Sequence, residues 1–165
     1  MNRLIIKGVL TAGFGMVRTA VLLAVLVASS QAQTVTRNND LTFGTMFPGV
    51  PKTIDKNSSD AVEFHVGGTA DAEITLTFSL PTYMYSNGHH VQMVFFSDGC
   101  AIDSNATPNQ SSPTWDDLNP WQTHTYRLGS TGLTVWLGGK AIPGLKQEAG
   151  SYSGDIVLTV EYTGN

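Results

Sequence analysis

From Glu73 to Leu80 the chain alternates without interruption. Ile74, Leu76, Phe78 and Leu80 fall on one side of an extended backbone, and Glu73, Thr75, Thr77 and Ser79 on the other. A period of two belongs to a β-strand with one face on a core and the other in water. The same rhythm recurs in Leu41–Met46, in Val62, Phe64 and Val66, in Leu133, Val135 and Leu137, and in Ile156, Leu158, Val160 and Tyr162. Lys52–Ser59 reads as a strand ending in a polar turn, and Val91–Phe96 as a strand covered on both faces or ending at a bulge. His124–Leu128 and Lys140–Ile142 read as shorter strands. Phe47-Pro48-Gly49, Gly67-Gly68, Pro81, Asn87-Gly88 and Gly138-Gly139 punctuate these runs with turn chemistry. No segment after residue 32 sustains apolar spacing at i, i+3, i+4 and i+7, so a substantial helix is not expected. About eight or nine short strands result. They predict an all-β chain folded as a single antiparallel β-sandwich, with a barrel as the alternative.

Residues 1–32 stand outside this pattern. Arg3, Lys7 and Arg18 are basic, no acid precedes Asp40, Thr19–Ala28 is nearly all apolar, and Ser30-Gln31-Ala32 offers small residues at a cleavage site. These are the parts of a secretory signal peptide. The apolar run is about half the roughly 20 residues that a membrane-spanning helix requires. Residues 33–40 are polar apart from Val35 and read as a flexible N-terminal extension, leaving 41–165 as the sandwich domain. Loss of the signal leaves 6 basic residues against 13 acidic ones, a net of −7. Such a surface does not suit nucleic acid or anionic lipid. The expected setting is therefore the periplasm, cell surface or extracellular space, with no membrane span after cleavage. Cys100 is the one cysteine, so no intrachain disulfide can form and stability must come from the core.

Candidate chemistry is sparse. Asp103–Thr123 interrupts the strand rhythm with Pro108, Pro113 and Pro120, and holds Trp115, Asp116, Asp117 and Trp121. Aromatic faces beside acidic acceptors suit sugars or cationic groups; the competing reading is two indoles folded back over one end of the sandwich. Cys100 could pair with His90 or His124 as nucleophile and base, but it lacks any local nucleophile motif and reads as a small core residue. His89 and His90 would point to opposite faces of a strand, and no acid or cysteine spacing matches a zinc or calcium site. Asn57-Ser58-Ser59, Asn105-Ala106-Thr107 and Asn109-Gln110-Ser111 match the glycosylation sequon. The expectation is a protein with no catalytic, metal or cofactor residues, hence non-enzymatic.

The order of its motifs resembles a known family. Leu41-Thr42-Phe43-Gly44 with Pro48-Gly49, then Val66-Gly67-Gly68, lie at one end. Leu137-Gly138-Gly139-Lys140-Ala141-Ile142, Gln147 to Gly150-Ser151-Tyr152-Ser153-Gly154 and Val160-Glu161-Tyr162 lie at the other. Together they are similar to the exported bacterial domain of unknown function 4402, akin to spore coat protein U and archaic chaperone–usher pilin domains. The resemblance implies an immunoglobulin-like sandwich at the cell surface, serving as a structural, adhesion or pilus-like subunit. For the pilin relatives it implies a missing strand, supplied first by a periplasmic chaperone and then by the extension of a like subunit. Ile156, Leu158, Val160 and Tyr162, on the last strand, would border that acceptor site. The extension offers Val35 and little else as a plug, which leaves three options. The donor includes Leu41–Met46, the chain accepts without donating, or it completes its own sandwich. A secreted ligand- or glycan-binding module built on Trp115 and Trp121 is the alternative function.

Overall fold

A computed structural model describes residues 33–164; the predicted signal peptide lies outside them. The described chain is all-β and forms a β-sandwich from three antiparallel sheets. The strands are β1 (Thr34–Asn39), β2 (Lys52–Ile54), β3 (Val62–Gly67), β4 (Glu73–Ser79), β5 (Tyr83–Ser86) and β6 (His89–Val94). They continue with β7 (Cys100–Asp103), β8 (Trp115–Leu118), β9 (His124–Arg127), β10 (Leu133–Leu137), β11 (Gly139–Ile142) and β12 (Val157–Tyr162). The sheets run β1-β3-β10-β7-β8, β2-β11-β6-β5 and β12-β4-β9. Each is open at its edges, so the barrel alternative is not realised.

Two of these sheets are related by a bend. The order β3-β10-β7 in the first repeats as β2-β11-β6 in the second, and β10 passes into β11 through Gly138 alone. Gly138 donates its N–H to Gly99 O at 3.0 Å. A Cβ there would lie 2.5 Å from Ile54 O and 2.7 Å from Lys56 N. Those are backbone atoms of the neighbouring strand and cannot yield as a flexible side chain does. The glycine is thus required by close approach of two backbones where the sheet turns.

The core lies between the bent sheet and the third one. Val62, Phe64 and Val66 face inward from β3, and Ile74 and Leu76 from β4, all buried. The Phe64 and Phe78 rings meet across the layers at a centroid distance of 6.3 Å. All five residues of β10 are buried, including Thr134 and Trp136 on its outer face. The Trp136 indole N–H donates to Glu63 Oε2 at 2.9 Å, which satisfies the one polar atom of a ring otherwise suited to burial.

Four expectations are corrected by the structure. Residues 34–39 are not a flexible extension but an edge strand, antiparallel to β3 with Val35 opposite Val66. A strand that buries little side chain needs no apolar alternation, because main-chain hydrogen bonds hold it. Leu41–Met46 is not a strand, although Phe43 is buried. Gly44 takes φ 59°, which breaks an extended ladder, and Thr42 N–H bonds to Asp60 O instead. Tyr83–His90, whose composition reads as a turn-rich connection around Asn87-Gly88, is a hairpin: Asn87 and Gly88, at φ 47° and 84°, form the tight turn between β5 and β6. The long polar stretch 103–123 contains β8.

Replacement of Gly138 by Ala should lower the unfolding free energy by about 2–3 kcal/mol, the cost of overpacking against fixed atoms. Urea denaturation measures this; an unchanged midpoint would show that the two strands do not constrain each other at the bend.

Candidate functional site

The tryptophan–aspartate cluster is organised by a bulge. Consecutive side chains of a regular strand diverge to opposite faces, which would separate Asp116 from Asp117. On β8, however, Trp115 pairs with Ile102 and Leu118 with Cys100, so both aspartates stand against the single residue Ala101. Asp117 adopts φ 53°, and its N–H donates to Asp116 Oδ1 at 2.9 Å. This geometry turns both carboxylates toward one ammonium group.

That group belongs to Lys56, only 8% exposed. Its Nζ lies 3.0 Å from Asp116 Oδ1, hydrogen-bonds to Asp117 Oδ1, and donates to Asp98 O at 2.8 Å. Burial alone would lower the Lys56 pKa, but the two carboxylates outweigh it and hold the pKa above the ordinary lysine value. Asp116 shows the complementary effect. Burial raises its pKa, and hydrogen bonds from Lys56 Nζ and from the Asp117 N–H to its carboxylate together bring it below the usual range. The acids that a ligand would need are therefore engaged within the protein.

The indoles are separated in their roles. Trp115 is half-buried and its ring packs on Tyr126 at 4.6 Å. Trp121 is 59% exposed, but its Nε1 donates to Phe95 O at 3.0 Å and its ring meets Phe95 edge-on at 6.3 Å. Trp115 thus joins the first sheet to the third, while Trp121 fastens the loop to Phe95, just past the end of β6. This arrangement matches two indoles folded over the sandwich more closely than a paired recognition platform.

Asp103 is the organising residue that sequence reasoning passed over. It is fully buried and accepts from Thr114 Oγ1 at 2.6 Å, Asn109 N at 2.7 Å, Asn105 Nδ2 at 2.6 Å and Asn105 N at 3.1 Å. Burial raises its pKa, but these donors prevail and hold it below the ordinary value. Gln110 adds a second tie, donating Nε2 to Lys56 O and Ser58 O at 2.6 and 2.9 Å. The proline-rich loop is thereby fixed at both levels. One local signal existed: an Asp whose side chain caps the N–H two residues ahead is a common turn device.

Cys100 is fully buried at the start of β7, and burial pushes its thiol up to about 12 with Lys56 only partly opposing. At neutral pH it is a protonated core group rather than a nucleophile. Its Sγ lies 4.0 Å from Ala101 O. His124 Nε2 contacts Asn119 O at 2.8 Å, and His90 lies against Tyr83 on an exposed face. No hydrogen bond joins Cys100 to a histidine among the described residues.

The last strand is placed as its pattern requires. β12 pairs with β4 over six positions, from Val157 opposite Ser79 to Tyr162 opposite Ile74. Leu158 is buried, Ile156 and Val160 are half-buried, and Tyr162 is 38% exposed with its hydroxyl accepting from Thr69 N at 2.9 Å. The other edge of β12 has no strand partner among the described residues. Upstream, Tyr152 donates its hydroxyl to Glu148 O, four residues back, at 2.8 Å and accepts from Gln147 Nε2. This is the bond of a corner tyrosine. The same corner walls a groove of about 670 Å³, with Leu41–Pro48 opposite and Met84 and Val91 among its other lining residues.

No protein-family model matches the chain, and no curated protein is similar to it. The class defined by the geometry is an all-β antiparallel sandwich whose best-developed polar clusters are internal braces.

Two measurements test these braces. Asp103 and Asp116 have folded pKa values below their unfolded ones, so their stabilisation is complete above about pH 4 and is lost as pH falls through the folded values. Asp103→Asn should flatten this acid limb and cost about 2–3 kcal/mol at pH 7. Thermal melts from pH 2 to 7 that superimpose on wild type would remove Asp103 from this role. Replacing Asp116 and Asp117 together by Ala leaves the Lys56 ammonium with only a carbonyl partner. That change should cost about 3 kcal/mol, measured by urea denaturation.

Proposed function

We propose that this protein is a non-enzymatic, exported structural or adhesion subunit that joins like subunits at the cell surface by strand addition. A periplasmic chaperone would hold it before assembly. The observation that carries this reading is the outer edge of β12, six residues long and without a strand partner among the described residues. A strand of that length offers about 20 Å of main-chain donors and acceptors to an incoming strand. Unlike many exposed edges, it contains no proline, lysine or bulge to discourage pairing.

Two further features support the reading. The groove bordered by Leu41–Pro48 and by the Tyr152 corner opens beside the segment that runs into β12, and could receive alternate apolar side chains. β1, the N-terminal strand, is the other edge strand of six residues, and its side chains are almost all exposed. It is held mainly by main-chain bonds, each contributing about 1 kcal/mol, so its transfer to another subunit costs little burial. The resemblance to the 4402 domains and their pilin relatives points the same way.

Light scattering across a concentration series tests assembly. The protein alone should form oligomers, and Val157→Lys should weaken them at least about tenfold while leaving the thermal midpoint within a few degrees. Val157 is 49% exposed on β12, so the new charge burdens the edge rather than the core. A wild-type protein that stays monomeric at every concentration and takes up no donor peptide would overturn the proposal.

A further inference from the structure

The outer face of the β5–β6 hairpin gathers two tyrosines, a histidine and a glutamine. In antiparallel register Tyr83 stands opposite Gln92 and Tyr85 opposite His90, so these four side chains share one face. Met84, Val91 and Met93 occupy the other face and are buried, which fixes the hairpin to the core. Tyr85 is 58% exposed, and His90 and Gln92 are exposed as well. The rings touch one another: Tyr83 meets His90 at 4.7 Å, and Tyr85 lies 6.2 Å from Tyr83 and 6.3 Å from His90. Such mutual packing limits their rotamers before any partner arrives, so little side-chain entropy remains to be lost on binding. The Asn87-Gly88 turn and the pairing of Tyr85 with Ser153 hold the backbone beneath them.

The decisive contrast is in polar atoms. At the tryptophan loop the Trp121 N–H is bonded to Phe95 O, His124 to Asn119 O, and both aspartates to Lys56. On the hairpin face, the Tyr83 and Tyr85 hydroxyls, the His90 nitrogens and the Gln92 amide make no hydrogen bond within the described residues. Charge narrows the partner further. Ile74–Ser97 contains no Asp, Glu, Lys or Arg, in a chain of net charge −4. Two ionic groups of opposite sign stand at the flanks of this face: Lys140, opposite Val94, and Asp155, two residues beyond the Ser153 that bridges to Tyr85.

We propose that Tyr83, Tyr85, His90 and Gln92 form a binding face for a neutral oligosaccharide. A neutral sugar ring presents C–H groups to an aromatic face and hydroxyls at its rim. Exposed tyrosine rings surrounded by hydroxyl, imidazole and amide groups complement both, and a hairpin that carries no Asp, Glu, Lys or Arg matches an uncharged ligand. Acidic glycans and nucleic acids would need cations that this stretch lacks. The face lies apart from the β12 edge and does not rest on strand addition, so either proposal can fail without the other.

The test uses the full protein on an array of neutral cello-, xylo- and manno-oligosaccharides, followed by titration calorimetry of those retained. At least one series should bind. Tyr85→Ala should weaken it at least about tenfold, and Tyr85→Phe, which keeps the ring, should weaken it less. Trp121→Ala should leave affinity unchanged. Thermal melts of the variants separate lost binding from lost folding, and Tyr85→Phe remains informative if the alanine variant unfolds. Retention of no neutral glycan would overturn the proposal. So would binding that survives Tyr85→Ala and falls with Trp121→Ala, or self-association abolished by Tyr85→Ala with no glycan bound.

Discussion

Every strand of the two larger sheets is held, directly or through one neighbour, by the run Leu133–Ile142. As β10 this run is flanked by β3 and β7; as β11 it is flanked by β2 and β6. The remaining strands β1, β8 and β5 attach one step further out. One residue, Gly138, separates the two halves, and its missing side chain lets the Ile54–Lys56 backbone pass close by. The bend at this point decides where the sandwich opens, where Lys56 is placed and which strands are left at the edges.

The polar braces follow from that bend. Lys56 sits just beyond β2, beside the turn, where burial would strand an ammonium group unless acids reached it. β8 supplies two acids at once by bulging, and Asp103 fixes the intervening loop through its four hydrogen bonds. A segment that reads as an irregular excursion is therefore an ordered strap between the sheets. Asp116 and Asp117 are ion-paired to Lys56, whereas the hydrogen-bonding groups of the hairpin face are unspent within the described residues.

Legibility followed burial. β3, β4, β10 and β12 each rest one face on the core, and their alternation is plain in the sequence. β1 buries almost nothing and so leaves no apolar signature. Leu41–Met46 shows the converse: Phe43 is buried, yet Gly44 at φ 59° prevents the ladder that the pattern suggests. Trp115, Asp116, Asp117 and Trp121 were recognisable as a cluster, but a bulge cannot be read from residue order, and Lys56 is 60 residues away in sequence from Asp116. The hairpin face was hidden for a related reason. Tyr83, Tyr85, His90 and Gln92 become neighbours only when the register across Asn87-Gly88 is known.

These features describe a sandwich with internal charges neutralised, a buried thiol, and two exposed surfaces: a strand edge with no pairing strand among the described residues, and an aromatic face. Of these, the strand edge carries the claim about what the molecule does. Amide hydrogen exchange across Val157–Tyr162, compared between the monomeric and the assembled protein, addresses it most directly. Strand addition predicts protection at least about tenfold greater in the assembled state, concentrated in this strand. Equal exchange in the two states, with protection gained elsewhere, would contradict it.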